Sequence, residues 1–523
     1  MPTGLEMNLL RRFNVGDILR RSALRTPDRP ALRFGGRNIS YADLDGMANR
    51  VGNAFRARGV QPGDVVAVLA LNSPEFVATW FGLARIGAVL LPVNAMLRGP
   101  EISAILRRAR VRGLIVEEVL HPLVQTEAET LASVPFRFWL PSGQAADPPS
   151  GWESYPAVLN EAAPEFPEVQ VENEAPATLL FTSGTESAPK GVVNTHLNWY
   201  AALLSALADL ELNRRHRPLL ALPLFHVAGL YLLLGTLATG ATGVLLRRID
   251  GAEVVSAIES EQVTYLVLPA TAYAGLLRLP DLERRNLGSL RRCVVFQYLP
   301  GEALDRWLQL VPQAEWVGYW GQSELTPLGA STPPEELREH RSRPDPIGRA
   351  HLPLEVRLVD GDDRPVPPGQ VGELVVRGPA VMAGYFDDPE RTAQAFRGGW
   401  HHTGDLAVAD EDGFLYFVDR LKDIVKTGGE NVSSQEVEEV IARHPAVAEV
   451  SVIGIPDPYW VEAVAAVVVR RGPVTEEDII QHCRAHLASF KVPKQVFFVE
   501  DLPRSPSGKI LKRELKQKYG GKA

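Results

Sequence analysis

The sequence predicts an α/β fold: a large N-terminal domain of doubly wound, largely parallel sheets carrying a small β subdomain, then a smaller, mobile α+β C-terminal domain. Three observations predict it. Apolar runs of strand length alternate with amphipathic helical stretches through the first three hundred or so residues, the pattern of helices crossing over a parallel sheet. The texture changes after Pro333 to short alternating strands between Gly, Pro and Asp turns. It changes again after Arg420-Leu421-Lys422-Asp423, where helix and strand signals resume in a new order. These shifts place domains at 1–420, with the β subdomain at about 334–420, and at 421–523, with a hinge near Lys422.

Taken in order, Tyr41 to Arg58 has helical spacing, Val65 to Leu69 is a continuous apolar strand, Glu75 to Ile86 is a second helix, and Ala88 to Val93 closes a βαβ-like unit. Ala177 to Phe181 reads as a buried strand. Pro218 to Leu246 has no Asp, Glu, Lys or Arg and is long enough to cross a bilayer. Its prolines and glycines divide it into strand, loop, helix and strand, so it reads as buried core and not as a span. Leu354 to Asp360, Val371 to Gly378 and Phe414 to Arg420 are the short strands of the β subdomain. Beyond the hinge the pattern is helix Ser434 to Arg443, strands Val447 to Gly454 and Ala463 to Arg470, helix Thr475 to His486, and strand Val496 to Val499.

Composition narrows the function class. At 523 residues, 45% hydrophobic and 23% charged, the chain is a large globular protein with more than one core. A net charge of -8 disfavours nucleic acid as a partner, since phosphate backbones need a basic face. The arginine pairs at 107–108, 214–215 and 291–292 read as solvated helix ends or strand flanks. Two cysteines, Cys293 and Cys483, exclude a disulfide framework or cysteine-rich zinc site and point to a reducing cytoplasm. Charged residues interrupt Met1 to Arg25, so no signal-peptide core is expected there. Oligomeric state leaves no sequence signal.

The chemistry gathers around Thr182-Ser183-Gly184-Thr185-Glu186-Ser187-Ala188-Pro189-Lys190-Gly191. A Gly/Ser/Thr loop at a strand's carboxyl end can turn several backbone N–H groups on a phosphate, with hydroxyls as further donors and Lys190 as a point charge. The spacing is not that of a Walker-type loop. Downstream stand His226 in Pro223-Leu224-Phe225-His226-Val227-Ala228-Gly229, then Tyr319-Trp320-Gly321-Gln322-Ser323-Glu324, then His401-His402-Thr403-Gly404-Asp405, then Arg420 and Lys422. Ser505-Pro506-Ser507-Gly508-Lys509 lies near the C-terminus. Each of these has an ordinary structural reading when taken singly.

In this order and at these separations the set resembles, over essentially the whole chain, the adenylate-forming superfamily, and most closely its acyl-CoA ligases. The resemblance implies two half-reactions at one site: a carboxylate attacks the α-phosphate of ATP to give acyl-AMP and pyrophosphate, then the thiol of CoA displaces AMP. It implies that the C-terminal domain swings about Lys422 between them. It assigns Lys509 as the adenylation lysine, Glu324 as the ligand of Mg2+, and His226 as a third catalytic residue beside the apolar pocket. Thr182, Ser183, Gly184, Thr185 and Lys190 become the phosphate loop, and Asp405 and Arg420 hold the ribose and phosphate. Trp320 takes the aromatic position over adenine, usually Tyr, and Ser323 the place of the usual Thr. For CoA it implies Gly428 and Gly429 along the pantetheine tunnel, with Trp460, Phe490 and Lys494 on the nucleotide. Core packing is the competing reading of Phe490. The expected small-molecule partners are a carboxylic acid or its adenylate, ATP or AMP, Mg2+ and CoA.

Two departures stand out. Where the superfamily's loop continues Thr-Thr-Gly, this chain has Thr185 followed by Glu186-Ser187-Ala188, losing a glycine and gaining an acid. A carboxylate about 4 Å from a phosphate charge costs on the order of 4 kcal/mol at an effective dielectric near 20. That equals a rate loss of about a thousandfold. Where a Gly-Gly-Ala-Pro type turn forms the wall between adenine and acyl group, this chain has Phe296-Gln297-Tyr298. With Val227, Ala228 and Leu230 these suggest a hydrophobic acid. The expectation is an acyl-CoA ligase whose adenylation step is weakened or lost, able to thioesterify a preformed acyl-adenylate. The alternatives are an ordinary acyl-CoA ligase that tolerates the variant loop, since Thr182, Ser183, Thr185 and Lys190 still offer donors and Lys509 is intact, a non-catalytic acyl-adenylate or acyl-CoA binder, or an enzyme loading a carrier protein.

Overall fold

A computed structural model describes residues 3–143, 147–182, 189–296, 299, 301–340, 345–427, 430–457, 461–487, 489–504 and 510–520. The chain forms two compact units. Of the described residues, the first takes 3–182, 189–356 and 376–401, and the second 357–375 and 402–520.

The first unit is built on two large sheets. One has eight strands in the lateral order Gly384–Tyr385, Lys190–Thr195, Pro176–Thr182, Val89–Pro92, Val65–Leu69, Gly113–Glu117, Phe136–Leu140 and Glu153–Ser154. Its centre is parallel. The all-apolar run Val65–Leu69 is buried along its whole length, because a parallel strand lies under helices on both faces. The other sheet runs from Pro346–Ala350 through Gly329–Thr332, Glu315–Gly321, Arg292–Phe296, Tyr265–Pro269, Pro218–Leu220 and Gly243–Leu245 to Pro30–Phe34 and Arg37–Ser40. The uncharged stretch folds as expected into the strand Pro218–Leu220, the helix Val227–Thr239 and the strand Gly243–Leu245. Among the described residues no helix is long and apolar enough to cross a membrane.

One expectation is corrected here. Arg292 is not a solvated flank: it is 4% exposed, opens a parallel strand in register with Glu315, and pairs with Glu211 at 2.9 Å and Glu315 at 2.6 Å. Two carboxylates offset the desolvation that burial of one guanidinium imposes.

The second unit contains most of the strands Glu355–Val359, Val371–Arg377, His401–Ala409 and Leu415–Arg420, side by side in that order. Its other sheet is the long antiparallel pair Val447–Asp457 and Val461–Arg470, extended by Val425–Thr427 and Glu430–Val432 on one side, with Gln495–Val499 parallel to Val461–Arg470. Helices Ser434–Ala442 and Glu476–His486 cover a largely aliphatic core that includes Val437, Ile441, Val452, Val464 and Ile479. Helix Lys512–Tyr519 covers the other face through Leu515 and Tyr519.

Candidate active site

Main-chain pairing in the first unit brings together residues far apart in sequence. The strands Pro176–Thr182 and Lys190–Thr195 are antiparallel, with Thr182 opposite Lys190 and Phe181 opposite Gly191. The two ends of the proposed phosphate loop are thus held one strand spacing apart. Gly384–Tyr385 then adds itself to the far edge, with Tyr385 opposite Val192 and Gly384 opposite Val193. The Phe386 N–H donates to Gly191 O at 2.7 Å and the Ala383 N–H to Val193 O at 2.9 Å.

The same segment holds Glu324. Ser323 to Leu325 is a single 3-10 turn after the strand Glu315–Gly321, closed by Thr326 in a left-handed conformation at φ 58°. The Met382 N–H donates to Glu324 O at 2.8 Å, and Asn194 Nδ2 donates to Ser323 O at 3.1 Å and to Thr326 Oγ1 at 2.8 Å. Thr326 Oγ1 donates in turn to Ala380 O. With its turn pinned at three points, half-buried Glu324 receives the Tyr385 phenol on Oε1 at 3.1 Å. Lys190 Nζ stands 5.4 Å from the centroid of the Tyr385 ring. Glu324, Tyr385 and Lys190 thus form one group with a carboxylate, a phenol and an ammonium. Tyr385 was missed from sequence; its signal was Gly384-Tyr385-Phe386-Asp387-Asp388-Pro389-Glu390, a turn-rich run that reads as connection.

Trp320 is half-buried, one residue from Tyr319, which turns to the opposite face and is 3% exposed. The indole needs its glycine neighbours: a Cβ on Gly329 would stand 2.4 Å from the Trp320 ring, and one on Gly321 would stand 1.7 Å from Pro327 O. Tyr319 meets Phe296 edge to face at 5.0 Å. His226 occupies the position just before helix Val227–Thr239, half-buried and tilted against Phe225 at 4.8 Å.

In the second unit, Asp405 lies in the strand His401–Ala409, directly opposite Arg420 across an antiparallel pair. Asp405 is 6% exposed, and Arg420 Nε stands 3.8 Å from Asp405 Oδ1. Gly404, at φ 71°, makes a left-handed step that L side chains disfavour. Its N–H donates to Glu373 Oε1 at 3.1 Å, while His402 Nδ1 shares a hydrogen bond with Glu373 Oε2 at 2.9 Å. Lys422 is exposed in the turn after Arg420. Phe490 packs against the aliphatic core of this unit, and exposed Lys494 reaches Ser489 O at 3.4 Å.

Ser183, Gly184, Thr185, Glu186, Ser187, Ala188, Gln297, Tyr298, Gly428, Gly429, Trp460 and Lys509 lie outside the described residues. Among the described residues no group of three or more His, Cys, Asp or Glu side chains could hold a metal. The donor set therefore fits Mg2+ in one way, with the Glu324 carboxylate as a hard oxygen ligand and substrate phosphates supplying others.

The family profile of AMP-binding enzymes matches residues 19–386, and that of the AMP-binding enzyme C-terminal domain matches residues 436–509. A feruloyl-CoA synthase of Amycolatopsis sp is 36% identical over 522 residues, covering 98% of this chain and all of that protein. The crystal structure of the anthranilate CoA ligase AuaEII in complex with anthranoyl-AMP superposes with a TM-score of 0.87 at 29% identity, covering 97% of each chain. ATP-bound MatB from Rhodopseudomonas palustris superposes with a TM-score of 0.88 at 29% identity, over 98% of this chain and 99% of that one. With both profiles matched, a fold shared along nearly its whole length and CoA ligases among its relatives, the chain belongs to the adenylate-forming superfamily of AMP-binding enzymes.

Proposed function

We propose that the protein is an AMP-forming acyl-CoA ligase that converts a hydrophobic carboxylic acid to its CoA thioester through acyl-AMP, with the adenylation step slowed by Glu186. The observation that carries the reading is the grouping of Glu324, Tyr385 and Lys190, which places a hard oxygen ligand beside a cation at the mouth of a loop rich in small hydroxyl residues. Lys190 offsets phosphate charge, and Tyr385 fixes the orientation of the Glu324 carboxylate. Glu324 would hold Mg2+, which when bound neutralises charge on the phosphates of ATP. Asp405 accepts the ribose hydroxyls and Arg420 pairs with ribose or phosphate oxygens. His226 borders the acyl side, and Lys509 neutralises charge on the transferred phosphoryl group.

For the second half-reaction Gly428 and Gly429 line the path of pantetheine, and Trp460, Phe490 and Lys494 take the CoA nucleotide. The division at Lys422 into 1–420 and 421–523 is the proposed functional one. The edge-to-face Phe296–Tyr319 pair, together with relatives named for ferulate and anthranilate, makes aromatic acids the first to try. Two buried, unpaired thiols, Cys293 and Cys483, are compatible with action in a reducing cytoplasm.

The test runs both half-reactions on purified protein. Hydrophobic acids are incubated with ATP and Mg2+ while pyrophosphate is followed, and synthetic acyl-AMP is incubated with CoA while thioester is followed. Thioester formation with slow pyrophosphate release supports the reading. Pyrophosphate at ordinary ligase rates removes the handicap assigned to Glu186, and inactivity in both assays leaves a binding protein.

A further inference from the structure

The second unit contains a buried polar chain that the proposed chemistry does not use. It starts at Asp419, which is 4% exposed and precedes Arg420. Asp419 Oδ1 accepts the Arg420 N–H at 2.7 Å, and Oδ2 accepts the Ser434 N–H and the Ser434 hydroxyl, both at 2.7 Å. A carboxylate at the first turn of helix Ser434–Ala442 satisfies N–H groups that have no partner within the helix and complements the helix dipole. Ser434 Oγ then accepts from Lys512 Nζ at 2.5 Å. Lys512 Nζ pairs with Glu438 Oε1 at 2.9 Å, and that oxygen also accepts the Val452 N–H at 2.7 Å. The Lys512 and Glu438 side chains are only 16% and 21% exposed.

Lys512 is also the first residue of the helix Lys512–Tyr519, immediately after the closure of a loop. Arg504 and Ile510 form an antiparallel bridge, and the Leu511 N–H donates to Pro503 O at 2.8 Å. Arg504 is tied to Glu449 at 2.7 Å. Both ends of the loop that carries Lys509 in sequence are therefore fixed, and Lys512 fastens its outgoing end to the helix whose start Asp419 holds. Packing of Leu515 and Tyr519 already secures the helix Lys512–Tyr519 to the sheet, and a buried ion pair adds little net stability over apolar residues of equal size. What the ion pair adds is register, because an ammonium between a carboxylate and a hydroxyl tolerates little displacement.

We propose that Lys512 is a positioning residue for the adenylation half-reaction, holding Arg504 and Ile510, which flank Lys509 in sequence, in fixed register with Asp419 and Arg420 through Ser434 and Glu438. The proposal rests on the assignment of Lys509 as the adenylation lysine. Burial alone draws the Lys512 ammonium down, but the carboxylates of Glu438, Asp419 and Asp423 outweigh it, so the side chain stays charged above the ordinary lysine range.

The experiment compares K512M, K512R, K509A and the double variant K512M/E438Q in the two half-reactions. K512M is expected to lower the rate of pyrophosphate release by about a hundredfold while thioester formation from synthetic acyl-AMP stays within about threefold of the parent. K512R, which keeps the charge, is expected to recover most of the loss. K512M/E438Q, with no uncompensated buried charge, serves if circular dichroism shows K512M unfolded, and is expected to retain the selective loss. Equal loss in both half-reactions, or none, overturns the proposal in favour of a purely structural ion pair. If K509A loses adenylation and K512M does not, the anchor alone is wrong; if K509A keeps adenylation, the assignment of Lys509 is wrong and the anchor has no such role.

Discussion

Tyr385 donates its phenol to the Glu324 carboxylate at 3.1 Å, joining a two-residue edge strand to a 3-10 turn sixty-one positions earlier in the chain. A hydrogen bond to a charged group is worth roughly 1.5–3 kcal/mol. Y385F is therefore expected to lower the rate of pyrophosphate release by about tenfold or more and to raise the Mg2+ concentration needed for half-maximal rate. Titrating Mg2+ in the adenylation assay checks both; an unchanged Mg2+ dependence means that the phenol does not orient the carboxylate.

Glu186 supplies a test of the atypical loop. If its carboxylate opposes the triphosphate, E186T raises the rate of pyrophosphate release, by up to about a thousandfold. Thioester formation from acyl-AMP and CoA, in which no pyrophosphate is displaced, is expected to change much less. A rise in both steps, or in neither, removes the electrostatic explanation.

If the Asp405–Arg420 pair holds the nucleotide as proposed, it bears on both steps, because AMP stays in place from the first to the second. D405A is expected to weaken binding of ATP and of acyl-AMP alike, by roughly 10- to 100-fold in KM, as loss of hydrogen bonds to a buried carboxylate implies. Equilibrium binding of AMP by calorimetry reads this without turnover. A defect confined to one nucleotide contradicts the shared role.

Acid stability follows from His351. It is 1% exposed, accepts the Gly329 N–H on Nδ1 at 3.1 Å, and is driven by burial down to a pKa of about 3. The folded protein keeps it neutral while the unfolded chain takes up a proton below about pH 6.5, so the unfolded state gains protons as pH falls. Its contribution is complete above about pH 6.5 and lost toward pH 3, at about 1.4 kcal/mol per pH unit. H351N, whose side-chain oxygen can accept the same N–H, is expected to show a smaller fall in urea midpoint between pH 7 and pH 5 than the parent. Equal falls exclude His351 as a source of acid lability.

Much of the fold was legible because its signals are local. The apolar run at Val65–Leu69, the division of Pro218 to Leu246, and the α+β order after Lys422 each depend on residues adjacent in sequence, and each element stands within a few residues of its expected place. Arg292 was misread because nothing in its own neighbourhood announces Glu211 and Glu315, which parallel pairing and chain reversal bring to it. Asp405 follows a glycine and resembles a turn residue in sequence, yet lies in a strand because its ladder partner Arg420 is fifteen positions away.

The sequence by itself determined the membership in the superfamily, the order of the elements and the kinds of side chain available, since these depend on residue identity, local periodicity and motif order. Tertiary structure alone decided that Tyr385 orients Glu324 beside Lys190, that Phe296 meets Tyr319, and that Lys512 is tied through Ser434 to Asp419. The physical reason is that each of these contacts spans a sheet pairing or a helix docking. Their distances are set by main-chain register across segments that share no sequence neighbourhood.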